Sequence, residues 1–542
     1  MITGILKKQN GVATLIALIM MTMLTLIGLA ALNTSDDEVE IAGNQLHEMQ
    51  SFYAAEAGLD AASAMIQRNY DTTGVPPANM PAGVLDINNC GVTFATTDNG
   101  AATQQTLTNG TMSGLHSLIK SFTISSTGTS TIDNSKVVLS QVFQVAFVPI
   151  FQFAVFYGND LEIAPGPDMT LIGRVHSNGN LYLQANSTLN MDSYVTASGD
   201  ILYGRKGPGG SGSGDVLIKD ASGAYVSMQE GAGWLDANDG HWYDSSTARW
   251  DGRVQDAAHG QQELNLPLNT TGGDAHLLIE RESGNPDSYE AKSTLKFIDG
   301  QAYFKIGGVW SNVTADMTSK GIISYSSNKF YDARESKWVD ALDLDMGKLY
   351  DNGYAPSNGV IYNSYQSGGP DYPALRLKNG TEIDYPLTVA SYNPVYTQGN
   401  FNSVNKKPAA IFGDAVTFLS TNWNDANSDK SKSNRTAYAT TVNASIMTGN
   451  VETTESDYSG GFENLPRFLE DWSSKNFNWK GSMVNLWVSQ QAIGSWNGSY
   501  YSPPNRNWQY DVDLNDPANL PPESPVVRVF QRVGWKQENI SI

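Results

Sequence analysis

The sequence predicts an α+β protein that is mainly β: a long N-terminal helix, a small antiparallel β head, and a β-solenoid (right-handed β-helix-like) domain with an inserted β-hairpin region. Three observations predict it. An uncharged run from Val12 to Leu32 is followed by polar sequence with no proline before Pro76. Beyond Pro149, short strand-like runs punctuated by Gly-Asn and Gly-Asp recur at close spacing. Glycine is abundant, 51 of 542 residues, as a chain with many turns requires.

The helix comes first. An uncharged stretch of about twenty residues is long enough to cross a bilayer. With no helix breaker after it, the same helix continues in polar form to about Arg68. One rod of roughly 57 residues at about 1.5 Å each runs about 85 Å. Lys7 and Lys8 precede it, in a leader at 1–11 that the positive-inside rule keeps cytoplasmic. Two ordinary fates are a single-span anchor and a secretory signal cleaved near Gly28-Leu29-Ala30-Ala31. Along the rod Leu32, Val39, Leu46 and Tyr53 recur every seven residues, with Ala42 and Met49 between them. That is a coiled-coil seam, packed against sister helices or on the protein's own head.

A third fate follows from the polar continuation. The acidic segment Asp36-Asp37-Glu38-Val39-Glu40-Ile41-Ala42-Gly43-Asn44 leads into Phe52-Tyr53-Ala54-Ala55-Glu56-Ala57-Gly58-Leu59. Over residues 7–62 this resembles the N-terminal region of PilX-type minor pilins of type IV pili. The resemblance implies a leader cut between Gly11 and Val12 by prepilin peptidase, and a membrane and assembly helix bearing Ile16, Leu32, Val39, Leu46, Tyr53 and Glu56. It implies other minor and major pilins as partners, a single-pass inner-membrane location before assembly, and the pilus or cell surface after it. Ile16 stands where major pilins carry a glutamate five residues past the cut. A carboxylate in lipid needs a partner, so its absence argues against a repeating shaft subunit.

Composition narrows the rest. The net charge is −21, from 34 Lys and Arg against 55 Asp and Glu, without a basic patch. That excludes nucleic acid as an expected partner, because phosphate binding needs clustered cations. The lone Cys90 forms no intrachain disulfide and reads as a small core residue. One cysteine and six scattered histidines give no zinc-ligand pattern.

The long helix is assigned 12–70, with 12–32 transmembrane, and the antiparallel β region 71–155. Pro76, Pro77 and Pro81 open a loop-rich connection. Ser121–Ser125 and Lys136–Phe147 flank a polar turn region and read as a hairpin. The solenoid is assigned 156–204 and 356–542. Val175–Leu183 and Pro394–Asn402 share one texture, in which each rung buries its inward side chains by stacking on the next; a β-sandwich is the other architecture with such turns. The insertion, 205–355, opens on the Gly207–Gly214 linker, which lacks the Gly-Lys-Ser/Thr ending of a phosphate loop. In it, His241-Trp242-Tyr243-Asp244 with Arg249-Trp250-Asp251 echoes Lys329-Phe330-Tyr331-Asp332 with Lys337-Trp338-Val339-Asp340. The echo predicts a duplicated hairpin. Trp242, Tyr243, Trp250, Tyr331 and Trp338 are then candidates for stacking on sugar rings, or else the core of a small sheet. Further on, Leu465, Phe468, Leu469 and Trp472 predict one face of a short helix capping the solenoid. Tyr500–Trp508 is a proline-fixed aromatic loop.

Chemistry is sparse. Solenoid enzymes that cut polysaccharides use paired carboxylates, and no spacing marks a pair here. His176 and Ser177 are strand neighbours and point to opposite faces. Asp511, Asp513 and Asn515 begin like a weak calcium loop, but Asp516 and Pro522 replace its glycine and its bidentate glutamate. A second acidic loop spans Asn422–Asp429. No other cofactor and no enzymatic activity is expected. The expectation is a tip-located minor pilin that assists pilus assembly and presents its head for adhesion or partner binding. A membrane-anchored, glycan-binding surface adhesin and a solenoid carbohydrate-active enzyme are the rivals.

Overall fold

The computed structural model describes residues 10–538 except 208–209, 211, 269–273, 282–283, 367–371, 455–457 and 497–498. The basic leader with Lys7 and Lys8, and part of the glycine-rich linker, therefore lie outside the described residues. A single helix, α1, runs from Asn10 to Thr73. Gly74 ends it in the left-handed conformation, φ 72°, with its amide donating to the Tyr70 carbonyl at 2.9 Å.

The two halves of α1 have different surroundings. Every residue from Gly11 to Ala42 is exposed. From Ser51 onward one stripe is buried: Ser51, Ala54, Ala55, Leu59, Ala62, Ile66 and Tyr70, at the three-and-four spacing that puts side chains on one helix face. This stripe lies on an antiparallel sheet of β1 (Ala82–Ile87), β2 (Cys90–Asp98), β3 (Thr103–Thr106), β4 (His116–Ser130) and β5 (Lys136–Pro149). The expected hairpin is β4–β5, with Phe122 opposite Phe143. Cys90 is buried beside Ala54 and Val92.

The sheet is completed from the far end of the sequence. A strand at Val526–Glu538 pairs antiparallel with β5, Val529 opposite Ala146. Residues 526–538, assigned from the sequence to the solenoid, thus belong to the head. Everything between Ile150 and Pro525 is an insertion between neighbouring strands of one sheet. Phe530 stacks on Phe143 at 6.0 Å and meets Tyr70 edge-on at 6.3 Å.

The inserted body consists mostly of parallel ladders. Leu181 pairs with Leu161 on one side and Ile201 on the other. Leu189 pairs with Met169 and Val216, and Val195 with Val175 and Val254. In each of these ladders apolar residues stand beside apolar residues. The longest ladder shows the path of the chain. From Phe153–Tyr157 it advances through Arg174–Ser177 and Val195–Ala197 to Val254–Gln255. It re-enters at the opposite end, at Leu295–Ile298, and returns through Val360–Ser364, Leu387–Ser391, Ala409–Gly413 and Ser445–Thr448. Met483–Asn485 closes the circuit against Phe153–Tyr157, Met483 opposite Val155. The returning strands are buried on both faces, as parallel strands covered on both sides are. One side faces the main core; the other joins Phe151, Trp487 and Val527 in a second core beneath the head.

Two local expectations are corrected. Trp242–Trp250 is an α-helix, not a hairpin strand, so it does not duplicate the hairpin of Ile323–Asp332 and Lys337–Asp345. Trp242, Ser246 and Trp250 are its buried residues, while Asp244 and Ala248, which would share their face in a strand, are exposed. The helix shares a core with Val254 at one end of the ladder, and an antiparallel pair, Gln301–Ile306 with Val309–Asn312, lies at the other. The predicted capping helix at Leu465–Trp472 is absent. A 3-10 turn at Phe462–Asn464 leads into strand Arg467–Phe468, which pairs parallel with Thr417–Phe418. Leu465, Phe468, Leu469 and Trp472 are all core residues; Pro466 interrupts the helix their spacing suggested.

Candidate functional site

The surface most unlike the rest of the molecule is the outward side of α1. Its seam residues remain uncovered by the protein's own head: Leu32 is 63% exposed, Val39 70%, Leu46 51%, Met49 51% and Tyr53 60%. Gly11, Val12 and Ile16 at the start of the helix are exposed as well. Of the two packing partners the seam could have had, the head is taken by the opposite stripe. The small residues of Ala54-Ala55-Glu56-Ala57-Gly58 now have a reason. A Cβ on Gly58 would run into the Ser126 side chain, and one on Gly128 of β4 into the Ser51 carbonyl. The motif is where helix and sheet approach most closely, while Glu56 points away to solvent.

Side chains from the C-terminal strand clamp this arrangement. Arg528 donates to the Tyr70 carbonyl and, at 3.1 Å, to Asp71, at the end of α1 whose carbonyls favour a cation. Arg532 pairs with Asp60 at 2.6 Å. Further up, His47 lies 3.1 Å from Asp133 in the β4–β5 turn. The Ser130 hydroxyl, with smaller help from Ser135 and His47, holds the Asp133 carboxyl below its ordinary range. Trp535 meets Phe52 at 5.8 Å, and Phe52 meets Tyr53 at 5.7 Å, so the seam ends on an aromatic cluster.

The five aromatic candidates divide. Trp242 and Trp250 are buried, donating to Asp256 Oδ2 at 2.7 Å and to the Val226 carbonyl at 3.2 Å. They are core residues and carry no ligand contact. Tyr243 is exposed and stacks on His259 at 5.0 Å. Tyr331 and Trp338 are cross-strand neighbours, 5.6 Å apart, with Trp338 41% exposed. They lie in the hairpin of Ile323–Asp332 and Lys337–Asp345, at the edge of a separate six-stranded sheet that does not include the ladder ending near Tyr243.

The calcium candidates do not converge on a cation position. Lys406 Nζ donates to Asp511 at 2.5 Å and to Asp513 at 2.7 Å, and Lys480 stands 3.1 Å from Asp511. Asn515 Oδ1 accepts from the Tyr510 hydroxyl at 2.9 Å. The ammonium groups occupy the place a metal would need, and Lys406 holds the Asp513 carboxyl below its usual range. In the second acidic loop Asp425 is engaged by Arg376 at 2.6 Å and by Trp423 at 2.8 Å. Among the described residues, no group of three or more His, Cys, Asp or Glu is placed to hold a metal.

Two polar clusters escaped sequence reasoning. Ser246 Oγ lies 2.9 Å from His259 Nε2, and His259 Nδ1 lies 2.8 Å from Asp256 Oδ1. The connectivity is that of a nucleophile relay. Its serine, however, donates to the Trp242 carbonyl one helical turn back at 2.6 Å, and Ser246 and Asp256 are fully buried. Asp256 and His259 form a capping box on the turn Ala257–His259; the Asp-x-x-His spacing was the available signal. The second cluster sits where the two runs of ladder meet. Glu463 accepts from the Ala164 amide at 2.8 Å, and Glu162 accepts from Tyr458 at 2.5 Å and the Lys206 amide at 2.9 Å. Burial pushes Glu463 up to about 7 and Glu162 in the same direction. The adjoining cleft, lined by Glu162, Arg334, Asn450 and Arg467, has a volume of about 40 Å³, room for about three waters.

No family model matches the chain. No curated protein matches it either. Among solved structures, the competence-associated pilin ComZ from Thermus thermophilus aligns with 91% of this chain and 97% of its own at 12% identity, with a TM-score of 0.24. A TM-score that low carries no argument about fold or function.

Proposed function

We propose that this chain is a non-enzymatic minor subunit of a type IV pilus, of PilX-like kind, that enters the fibre through α1 and stands at its tip. The observation that carries this reading is the division of α1. Its C-terminal half is clamped to an antiparallel head, while its apolar N-terminal half is uncovered and long enough to cross a membrane. Before assembly the uncharged stretch sits in the inner membrane. After the leader is cut at Gly11–Val12 by prepilin peptidase, the same stretch packs among the helices of minor and major pilins. Lateral burial contributes about 25 cal/mol per Å² of apolar surface withdrawn from water. Ile16 leaves no carboxylate for the pairing a repeating subunit makes there. The inserted body makes the head too bulky to repeat along a tight shaft. We read the parallel ladders as a β-solenoid, right-handed by the rule for parallel crossovers, presented to a surface or partner.

Mass spectrometry of the mature N-terminus tests the proposal. A chain beginning at N-methylated Val12 is expected, and an intact Met1 or a cut after Ala31 overturns it. Tagged heads should appear at the ends of isolated filaments. A second reading, a permanently anchored glycan-binding adhesin, is favoured by the exposed Tyr331–Trp338 pair. It requires an uncut N-terminus and glycan retention that depends on Trp338. Turnover of any polysaccharide in a panel with product detection would remove the non-enzymatic assignment.

A further inference from the structure

The uncovered seam on α1 carries information about its partner. From Val12 to Gln67 there is no lysine or arginine, while Asp36, Asp37, Glu38, Glu40, Glu48, Glu56 and Asp60 are all present. Asp60 is neutralised by Arg532. The other six are exposed. Among the described residues, none of these six forms an ion pair. With Leu32, Val39, Leu46 and Tyr53 at one core position of a heptad, Ala42 and Met49 fall at the other. Asp36 and Glu38 then flank the seam, and Glu56 falls on it, one turn beyond Tyr53.

We infer that the seam of α1 docks a helix of a different subunit, apolar at matching heptad positions and bearing lysine or arginine opposite Asp36–Glu40 and Glu56. The inference rests on the proposal that α1 enters a helical bundle, and it names the chemistry of the neighbour. A second copy of this chain does not fit. Two such helices packed seam to seam bring Asp36, Glu38 and Glu56 of one against the same three carboxylates of the other, with no cation on either helix from residue 12 to residue 67. Like charges juxtaposed in an interface cost several kcal/mol. The penalty grows beside the apolar stretch, where low dielectric strengthens every charge interaction. Flanking charges set partner choice in coiled coils, and this helix has one sign alone. An anionic membrane surface is excluded by the same reasoning. The docking face does not stop at the helix, because the C-terminal strand adds Trp535 against Phe52, which in turn meets Tyr53.

The test uses the full chain in nanodiscs and three synthetic helical peptides that share one apolar heptad seam. Their flanking positions are lysine, glutamine or glutamate. The lysine peptide is expected to bind at least ten-fold tighter than the glutamate peptide by fluorescence anisotropy in low salt. The gap should shrink in high salt, and the full chain should sediment as one copy per disc. Replacing Asp36, Asp37, Glu38 and Glu40 by their amides should cut the preference sharply, and adding Glu56→Gln should erase it and permit self-association. These side chains are exposed, so the head reports intact folding. Val39→Asn with Leu46→Asn should weaken all three peptides alike. Equal binding of the three peptides, or self-association of the unmodified chain in low salt, overturns the inference. Mass spectrometry separates the two proposals: a Val12 terminus with no charge preference defeats this one alone, and a Met1 terminus defeats the pilin reading.

Discussion

Gly58 shows how one residue sets the distance between two elements. Its missing side chain lets α1 settle on β4, with Ser126 and Val92 where a Cβ would stand. Nothing in its backbone demands glycine, since it sits inside a regular helix, where glycine costs about 1 kcal/mol relative to alanine. The residue is kept against its own propensity because the sheet leaves no room. Gly58→Leu therefore overfills a closed seam and should destabilise the head by about 1–3 kcal/mol, the usual range for added bulk in a packed interior. Denaturant unfolding of the full chain, followed through the aromatic cluster around Tyr70, measures it. The neighbouring Glu56 faces solvent; Glu56→Ala should change stability by less than about 0.5 kcal/mol.

At the scale of elements, the sequence was most informative where structure is local. The unbroken run from Val12 to Arg68 foretold α1, which extends only a few residues further at each end. The β4–β5 hairpin was readable because its strands adjoin in sequence and a polar turn separates them. The closing strand at Val526–Glu538 was not readable as part of the head. Its pairing partner, β5, lies on the other side of the entire inserted body, and no local signal records so distant a contact. The helix Trp242–Trp250 was misread because two tryptophan-bearing segments look alike as text. Burial tells them apart: the helix buries only Trp242, Ser246 and Trp250, whereas the strand buries Val339 to Leu344 without a break and leaves Trp338 exposed. Of the candidate site, the heptad seam was legible, but which face of α1 the head would take was not. The closing strand also carries the clamp. Arg528 is nearly buried and holds the last turn of α1 through two donated bonds. Arg528→Ala should cost about 1.5–3 kcal/mol, as hydrogen bonds to charged groups do, and should raise amide exchange at Ile66–Thr73 before that of β4. Exchange that rises evenly over the head would mean the clamp is not local.

Over the whole molecule, the body begins and ends at the same place. The first ladder strand, Phe153–Tyr157, pairs with the last returning one, Met483–Asn485, so the two runs of the ladder are held together at their junction. Glu463 crosses that junction to the Ala164 amide, and Glu162 receives Tyr458 from the other run. Burial raises Glu463 to about 7 and does the same to Glu470, which Ser420 holds within the returning run. In the unfolded chain both carboxyls titrate near 4.5. Between about 4.5 and 7 the folded state therefore binds protons that the unfolded state has released, and stability falls as pH rises. The contribution is greatest below about 4.5, declines to about 7, and is flat above. A tenfold difference in proton affinity between the two states is worth about 1.36 kcal/mol, so each group accounts for a few kcal/mol across that window. The net charge of −21 acts in the same direction by self-repulsion, and the wild-type slope alone does not identify the groups. The difference between proteins does. The melting temperature of the full chain should drop from pH 5 to pH 8. Glu463→Gln, which keeps the acceptor for Ala164 and cannot ionise, should lose a large part of that drop and be the more stable protein at pH 8. Equal slopes for the two proteins would show that the junction carboxylate ionises freely, and that the two runs are not held by a protonated Glu463.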